Sequence, residues 1–202
     1  MKITEIFASI SGEGTRQGAP AVFVRFAGCN LRCAWCDTEY SFAAGTAMEA
    51  SAVRDEVARH AIPFVVITGG EPLLQKDELI PLLRVLHAEG YDIEIETNGT
   101  FPVGAVQEYA AICMDIKCPS SGESSDPALL ASLRPQDMVK FVVADRGDCL
   151  FAEEVLASWP TRAPAVFSPV WGADYGEIAA FLMERRPPAR LQVQLHRILG
   201  VK

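Results

Sequence analysis

A chain of 202 residues, half of them apolar, is long enough to bury a sizeable core and falls within the usual range of one domain. Its 26 acidic residues against 18 basic ones leave a formal charge of −8, which argues against a nucleic-acid or anionic-membrane surface, since such partners need a basic patch. A small-molecule substrate is the expectation.

The N-terminus, Met1-Lys-Ile-Thr-Glu-Ile-Phe7, has no apolar signal core, and no run approaches the ~18 apolar residues of a membrane span. The reading is therefore a cytoplasmic protein with one domain over residues 1–202. From residue 19 onward, β-branched and aromatic runs alternate with helical patterns, the mark of repeated βα units. Strands are expected at 22–26, 64–68, 92–97, 112–116, 139–143, 165–168 and 191–196. Thr46-Ala-Met-Glu49 reads as a capping box opening a helix to His60, and further helices are expected at 77–89, 151–159 and 175–185. Short apolar strands separated by helices predict a mostly parallel, covered sheet. A full eight-stranded barrel takes ~250 residues, so the alternatives are an incomplete βα barrel and an open doubly wound sheet. In both, ligands bind at the C-terminal ends of the strands.

The chemistry-bearing motifs fall at that rim. After the first expected strand come three cysteines within eight residues, Cys29-Asn-Leu-Arg-Cys33-Ala-Trp-Cys36, with no fourth nearby. A structural zinc site closes four positions with protein, and iron–sulfur clusters are usually held by four thiolates. Three thiolates leave one iron open to an exogenous ligand. The competing reading is a zinc knuckle that borrows a histidine or Cys118. Cys113 reads as a small buried hydrophobe, and reduced thiols are the default for six cysteines without an export signal. Next, Thr68-Gly69-Gly70-Glu71-Pro72 leaves main chain uncovered for close approach of a ligand. Glu96-Thr-Asn98-Gly99, Asp115-Ile116-Lys117 and Ser168-Pro169-Val170 end later strands with polar groups.

Cys-x3-Cys-x2-Cys followed by Gly-Gly-Glu-Pro resembles the radical S-adenosylmethionine (SAM) enzymes. Ser9-Ile-Ser-Gly-Glu13-Gly14, Phe23-Val-Arg25-Phe-Ala-Gly-Cys29, Cys36-Asp37-Thr38 and Gln194-Leu-His196-Arg-Ile-Leu-Gly200 then occur in order. With them the chain resembles the 7-carboxy-7-deazaguanine synthase family over essentially its whole length. The resemblance implies an α/β fold, an incomplete βα barrel of the radical SAM type with mostly parallel strands. It implies a 4Fe–4S cluster on Cys29, Cys33 and Cys36, and SAM against Trp35, Cys36, Asp37, Gly70, Glu71, Asn98, Asp115, Ile116, Lys117 and Ser168. It also implies Mg²⁺ at Thr38, and a carboxylated pterin against Ile10, Ser11, Gly12, Glu13, Arg25, Thr68, His196 and the terminal carboxylate of Lys202. Ser11 departs from the glutamine that relatives often carry. Arg25 can grip a carboxylate bidentately and Glu13 can accept from ring N–H groups.

The implied reaction converts 6-carboxy-5,6,7,8-tetrahydropterin to 7-carboxy-7-deazaguanine with loss of ammonia, a radical-SAM lyase step in 7-deazapurine and queuosine biosynthesis that recycles SAM. The implied partners are a second copy of the chain, as a homodimer, and a flavodoxin-type electron donor, with neither nucleic acid nor membrane. Rival readings are a glycyl-radical activating enzyme, which acts on a protein and has no need of Glu13, Arg25 and His196, and a non-enzymatic metal or electron-transfer module.

Overall fold

The computed structural model describes residues 1–202. One nine-stranded sheet runs through the chain: β1 Lys2–Ile10, β2 Pro20–Phe26, β3 Thr46–Ala47, β4 Phe64–Gly69, β5 Asp92–Thr97, β6 Ala111–Lys117, β7 Met138–Val143, β8 Ala165–Pro169 and β9 Ala189–Leu191. Their order is β3-β1-β2-β4-β5-β6-β7-β8-β9. From β2 to β9 each neighbouring pair is parallel, and β1 and β3 join antiparallel at one edge. The sheet does not close on itself, which is the incomplete barrel.

The helices are α1 Ala50–Arg59, α2 Lys76–Ala88, α3 Arg146–Ser158, α4 Tyr175–Arg185 and a short α5 Leu195–Leu199. None is long and apolar enough to cross a membrane. Strand alternation separates two faces. Val24, Phe26, Ile67, Ile95, Ile112, Met114, Ile116, Val139, Phe141, Val143 and Phe167 join one core with Val53 and Val57 of α1, Leu79, Leu82, Leu83 and Leu86 of α2, and Ile178 and Phe181 of α4. The intervening residues Arg25, Thr68, Glu94, Glu96, Asp115, Lys117, Lys140 and Ser168 face the other way. Cys113 is buried among Met138 and Val166 on that second face, as a small hydrophobe.

Four local expectations are corrected. No strand was expected before residue 22, yet β1 pairs with β2 from Ile3↔Phe26 to Ile10↔Pro20; its period-two pattern is masked because most of it is only half-buried. Thr46 and Ala47 form the edge strand β3 against Lys2 and Ile3, so α1 starts at Ala50 with Glu49 as its N-cap and no side-chain cap bond. Helix α3 begins five residues before the expected start, because the Asp145 carboxylate accepts from the Asp148 amide at 3.0 Å. The expected strand 191–196 ends at Leu191 in β9. Beyond it the Gln192 side chain turns inward, accepting from Gly14 N–H (3.2 Å) and donating to its carbonyl (3.0 Å), and Leu195 N–H donates to Gly12 (3.0 Å) before α5 forms.

The same contacts draw the β1–β2 loop across the inner face. Gly14 lies there with φ +78°, and a Cβ would stand 1.9 Å from Glu94 Oε1. Thr15 donates to Glu94 Oε2 through its amide (2.8 Å) and its hydroxyl. Burial raises the Glu94 carboxyl to about 7, with Thr15 and Lys140 opposing the rise and Glu96 adding to it. The folded state therefore holds a proton that the unfolded chain, titrating near 4.5, has lost. Stability from this group is full below that value and falls as pH rises from 4.5 to about 7. Glu94→Gln should remove this component, so urea-unfolding free energies of variant and parent should diverge by up to about 1.4 kcal/mol per pH unit across the interval, the variant gaining as pH rises. Parallel curves would overturn the assignment.

Candidate active site

A cavity of about 450 Å³ opens at the C-terminal ends of β2 and β4–β8. The three cysteines line one wall. Their loop leaves β2 through Gly28 and is zipped to the β4 turn: Gly70 N–H donates to Phe26 (3.1 Å) and Glu71 N–H to Gly28 (2.9 Å). Approach is so close that a Cβ on Gly70 would meet the Gly28 carbonyl oxygen at 2.1 Å and Cys29 Cβ at 2.8 Å. The second glycine of the motif is thus required by the cysteine loop as well as being open to the cavity.

The donor set fits an iron–sulfur cluster better than zinc. Cys29 Sγ faces the Leu31 amide (3.4 Å) and Asn98 Nδ2 (3.8 Å), and Cys36 Sγ lies 3.7 Å from the Thr38 hydroxyl. These N–H and O–H groups suit anionic sulfur. Burial raises the Cys33 thiol and the nearby Lys117 ammonium opposes the rise, so a bound cation would complete the deprotonation. The thiols are separate lining groups of one cavity; no three His, Cys, Asp or Glu side chains stand together at metal-ligand distance. Cys118, the residue able to complete a zinc site, is fully buried in the main core with its thiol toward the Ile116 carbonyl, and burial raises its pKa. His60 and His87 do not line the cavity.

Next to this wall stand Trp35, Asp37, Thr38, Gly70, Asn98, Asp115 and Lys117. Lys117 Nζ pairs with Asp115 Oδ2 at 3.0 Å and lies 5.4 Å from the Trp35 ring centroid. The same cavity is also lined by Ile10, Gly12, Glu13, Arg25, Thr68, His196 and Lys202. Gly12 has no Cβ because His196 Nδ1 occupies that position, 1.9 Å from where one would be. Burial lowers the His196 pKa, with Glu13 opposing, so the ring is neutral near pH 7. Arg25 Nε donates to Glu5 Oε1 (2.9 Å), with the guanidinium beside the Phe7 and Tyr40 rings. Only Nε is spent there, leaving the terminal nitrogens of the fork for a carboxylate. Ser9 Oγ donates to the Lys202 terminal oxygen (2.7 Å), and Lys202 Nζ pairs with Glu5.

Four residues expected at the ligand do not line the cavity. The Glu71 carboxylate accepts from Leu73 N–H (2.9 Å), Asn98 N–H (2.7 Å) and the Thr97 hydroxyl, so it braces the turn. Ser11 turns back on its own loop, donating to the Glu13 carbonyl (2.9 Å). Ile116 packs in the core because strand alternation points it away from Asp115 and Lys117. Ser168 is fully buried and donates to Glu13 Oε1 (3.1 Å), acting behind the cavity wall.

Other cavity residues escaped the sequence reading. Lys140 donates to Glu13 Oε2 at 2.5 Å and lies 3.4 Å from Asp115 Oδ1. Glu96 accepts from Thr68 Oγ1 at 2.7 Å. Gln194 and Arg197 border the opening, and Arg197 pairs with Asp37 at 2.9 Å, tying α5 to the cysteine loop. The signal was present: a lysine inside Met138-Val-Lys-Phe-Val-Val143 demands a buried carboxylate. Burial raises the Glu13 carboxyl, but the Lys140 charge and hydrogen bond more than reverse this and hold it at about 2.

A model of the radical SAM superfamily matches residues 23–117, which span the cysteine loop and the glycine turn. A 7-carboxy-7-deazaguanine synthase from Methanospirillum hungatei is 48% identical over 201 residues, covering all of this chain and 86% of that protein. The chain belongs to the 7-carboxy-7-deazaguanine synthase family. The synthase from Koribacter versatilis is 38% identical over 98% of this chain and 96% of its own length. The crystal structure of QueE from Escherichia coli superposes with a TM-score of 0.76 at 25% identity, covering 96% and 94% of the two chains. Family membership implies a 4Fe–4S cluster and SAM as cofactors.

Gly70→Ala should displace the cysteine loop, costing about 1–3 kcal/mol of stability by overpacking and lowering iron content after anaerobic reconstitution. Gly104→Ala, where nothing stands within 4 Å of the added Cβ, is the control. Equal iron content and melting temperature in both variants would show that the close approach is not required.

Proposed function

We propose that this chain is a radical-SAM lyase that converts 6-carboxy-5,6,7,8-tetrahydropterin to 7-carboxy-7-deazaguanine and ammonia, within 7-deazapurine and queuosine biosynthesis. One observation carries the reading: a single cavity is lined both by the three thiols and by Glu13, Arg25, His196 and Lys202. When bound, a 4Fe–4S cluster on Cys29, Cys33 and Cys36 with SAM supplies one-electron cleavage to a carbon radical.

The protein's part is orientation. Glu13, held ionised, is an acceptor for the N–H and amino donors of an aminopyrimidinone ring. Arg25, with Glu5 steadying Nε, offers its remaining nitrogens to the substrate carboxylate in a fork geometry. Neutral His196 and the terminal carboxylate placed by Ser9 close the same end. On the cofactor side, the cavity-lining Asn98, Asp115, Lys117 and the Gly70 main chain would hold the amino acid and ribose of SAM. Thr38 is assigned to Mg²⁺: a neutral hydroxyl suits an ion that keeps several waters and borrows substrate oxygens, and there it would orient the carboxylate.

The continuous sheet supports treating residues 1–202 as one domain. The reading takes a homodimer as the working assembly and a flavodoxin-type protein as the electron source, both on the strength of the family resemblance. A cytoplasmic setting agrees with six unpaired cysteines. A glycyl-radical activating role leaves the Glu13, Arg25 and C-terminal constellation without a use.

Anaerobically reconstituted protein given SAM, reductant, Mg²⁺ and the carboxytetrahydropterin should form an ultraviolet-absorbing deazaguanine; no such product, with SAM cleavage intact, would sink the reading. Deleting Val201 and Lys202 should raise KM for the pterin by about tenfold or more, the scale of a lost charged hydrogen bond. An unchanged KM would remove the terminus from the site.

A further inference from the structure

Lys140 sits on the interior strand β7, with its side chain only 6% exposed, and lines the cavity. Its ammonium lies between Glu13 Oε2 (2.5 Å) and Asp115 Oδ1 (3.4 Å). Asp115 Oδ2 in turn pairs with Lys117 (3.0 Å). The four side chains form one line of alternating charge across the cavity floor, from the loop carrying Glu13 to the cysteine wall. Asp115 and Lys140 are register partners on β6 and β7, so the middle of this line is fixed by backbone pairing. Glu13 is on a loop and depends on its partners for position.

We propose that Lys140 is a positioning residue that keeps Glu13 an ionised, immobile acceptor for the donor edge of a neutral nitrogen heterocycle while holding Asp115 for the cofactor side. The inference rests on the functional reading above and adds the group that enforces it. A buried carboxylate without a partner cation shifts toward its neutral form, and a neutral Glu13 would present a donor where the ring also donates. Around Glu13 the other titratable groups are His196 from α5, Glu96 from β5 and Asp115 from β6. His196 is neutral near pH 7 and the two acids carry negative charge when ionised, so Lys140 is the cation in contact with Glu13.

The test measures pterin binding to cluster-loaded protein by titration calorimetry, as the ratio of Kd in a variant to Kd in the parent between about pH 6 and pH 8.5, the range in which an unpaired buried carboxyl would titrate. For Lys140→Met the ratio should rise by about tenfold per pH unit toward acid once Glu13 takes up its proton. For Lys140→Arg it should stay flat, and for the double variant with Glu13→Gln the pH dependence should vanish. A Lys140→Met ratio that is large yet equal at every pH would make Lys140 a direct contact or a scaffold residue and overturn the proposal. If Lys140→Met does not fold, ¹³C NMR of carboxyl groups in the parent decides: the resonance missing from Glu13→Gln should not move across the range, and a titrating one overturns the inference. A parent that binds no pterin and forms no product fails the functional reading itself, whereas a parent that does both with a flat Lys140→Met ratio fails only this inference.

Discussion

The ion pair between Lys140 and Glu13 is the constraint around which the inner face is arranged. Withdrawing an ammonium and a carboxylate from water costs several kcal/mol for each ion, and a well-packed apolar pair of like volume would serve stability equally well or better. A single pair would also leave Lys140 with unused donors. Asp115 adds a second negative charge 3.4 Å from the ammonium, Lys117 answers Asp115, and Ser168 supplies Glu13 with a second donor from behind. Each added partner lowers the cost of the one before it. The result is a polar floor on a sheet whose opposite face is almost wholly apolar.

That floor explains why both ends of the chain return to the sheet. The βα units supply the cysteine side of the cavity from successive strand ends, but Glu13, His196 and Lys202 come from segments outside them. Contacts join Gly14 to Gln192, Gly12 to Leu195 and Ser9 to Lys202, each across more than 170 residues of sequence separation. Closing so long a loop costs little more entropy than closing one of half the length, since the penalty grows only logarithmically. Glu94 and Lys140 on the sheet are what the β1–β2 loop binds, so the Glu13 end of the cavity takes its position from the sheet.

What was legible in the residues follows the same division. Apolar parallel strands announce themselves by composition, and β4 to β8 fall within a residue or two of expectation. Motifs at strand ends were readable because the fold rule puts ligands there. Pairing decided where composition was ambiguous: β1 is half-buried, and Thr46 is drawn into an edge strand in place of capping a helix. Side-chain direction was the other blind spot. Ile116 and Lys117 are adjacent in sequence, and only the pleat sends one to the core and the other to the cavity. Glu71 shows a further limit, since nothing in Gly-Gly-Glu-Pro says that its carboxylate faces three main-chain and hydroxyl donors.

The metal chemistry is shaped by what the fold does with four groups that could act as a fourth protein ligand. Cys118 is turned into the apolar core, where burial keeps the thiol protonated. Glu71 is committed to the turn beneath the cysteine loop. Asp115 is held by two ammonium groups, which compete with any cation for its oxygens. His196 is seated in the notch left by Gly12, beside Glu13 at the substrate end. Zinc in a structural role needs a closed tetrahedron, and this arrangement denies it one without removing a single ligand type from the neighbourhood. With hydrogen-bond donors at the Cys29 and Cys36 sulfurs and these rivals tied elsewhere, the three thiols suit a cluster whose remaining coordination is open to a small molecule in the cavity.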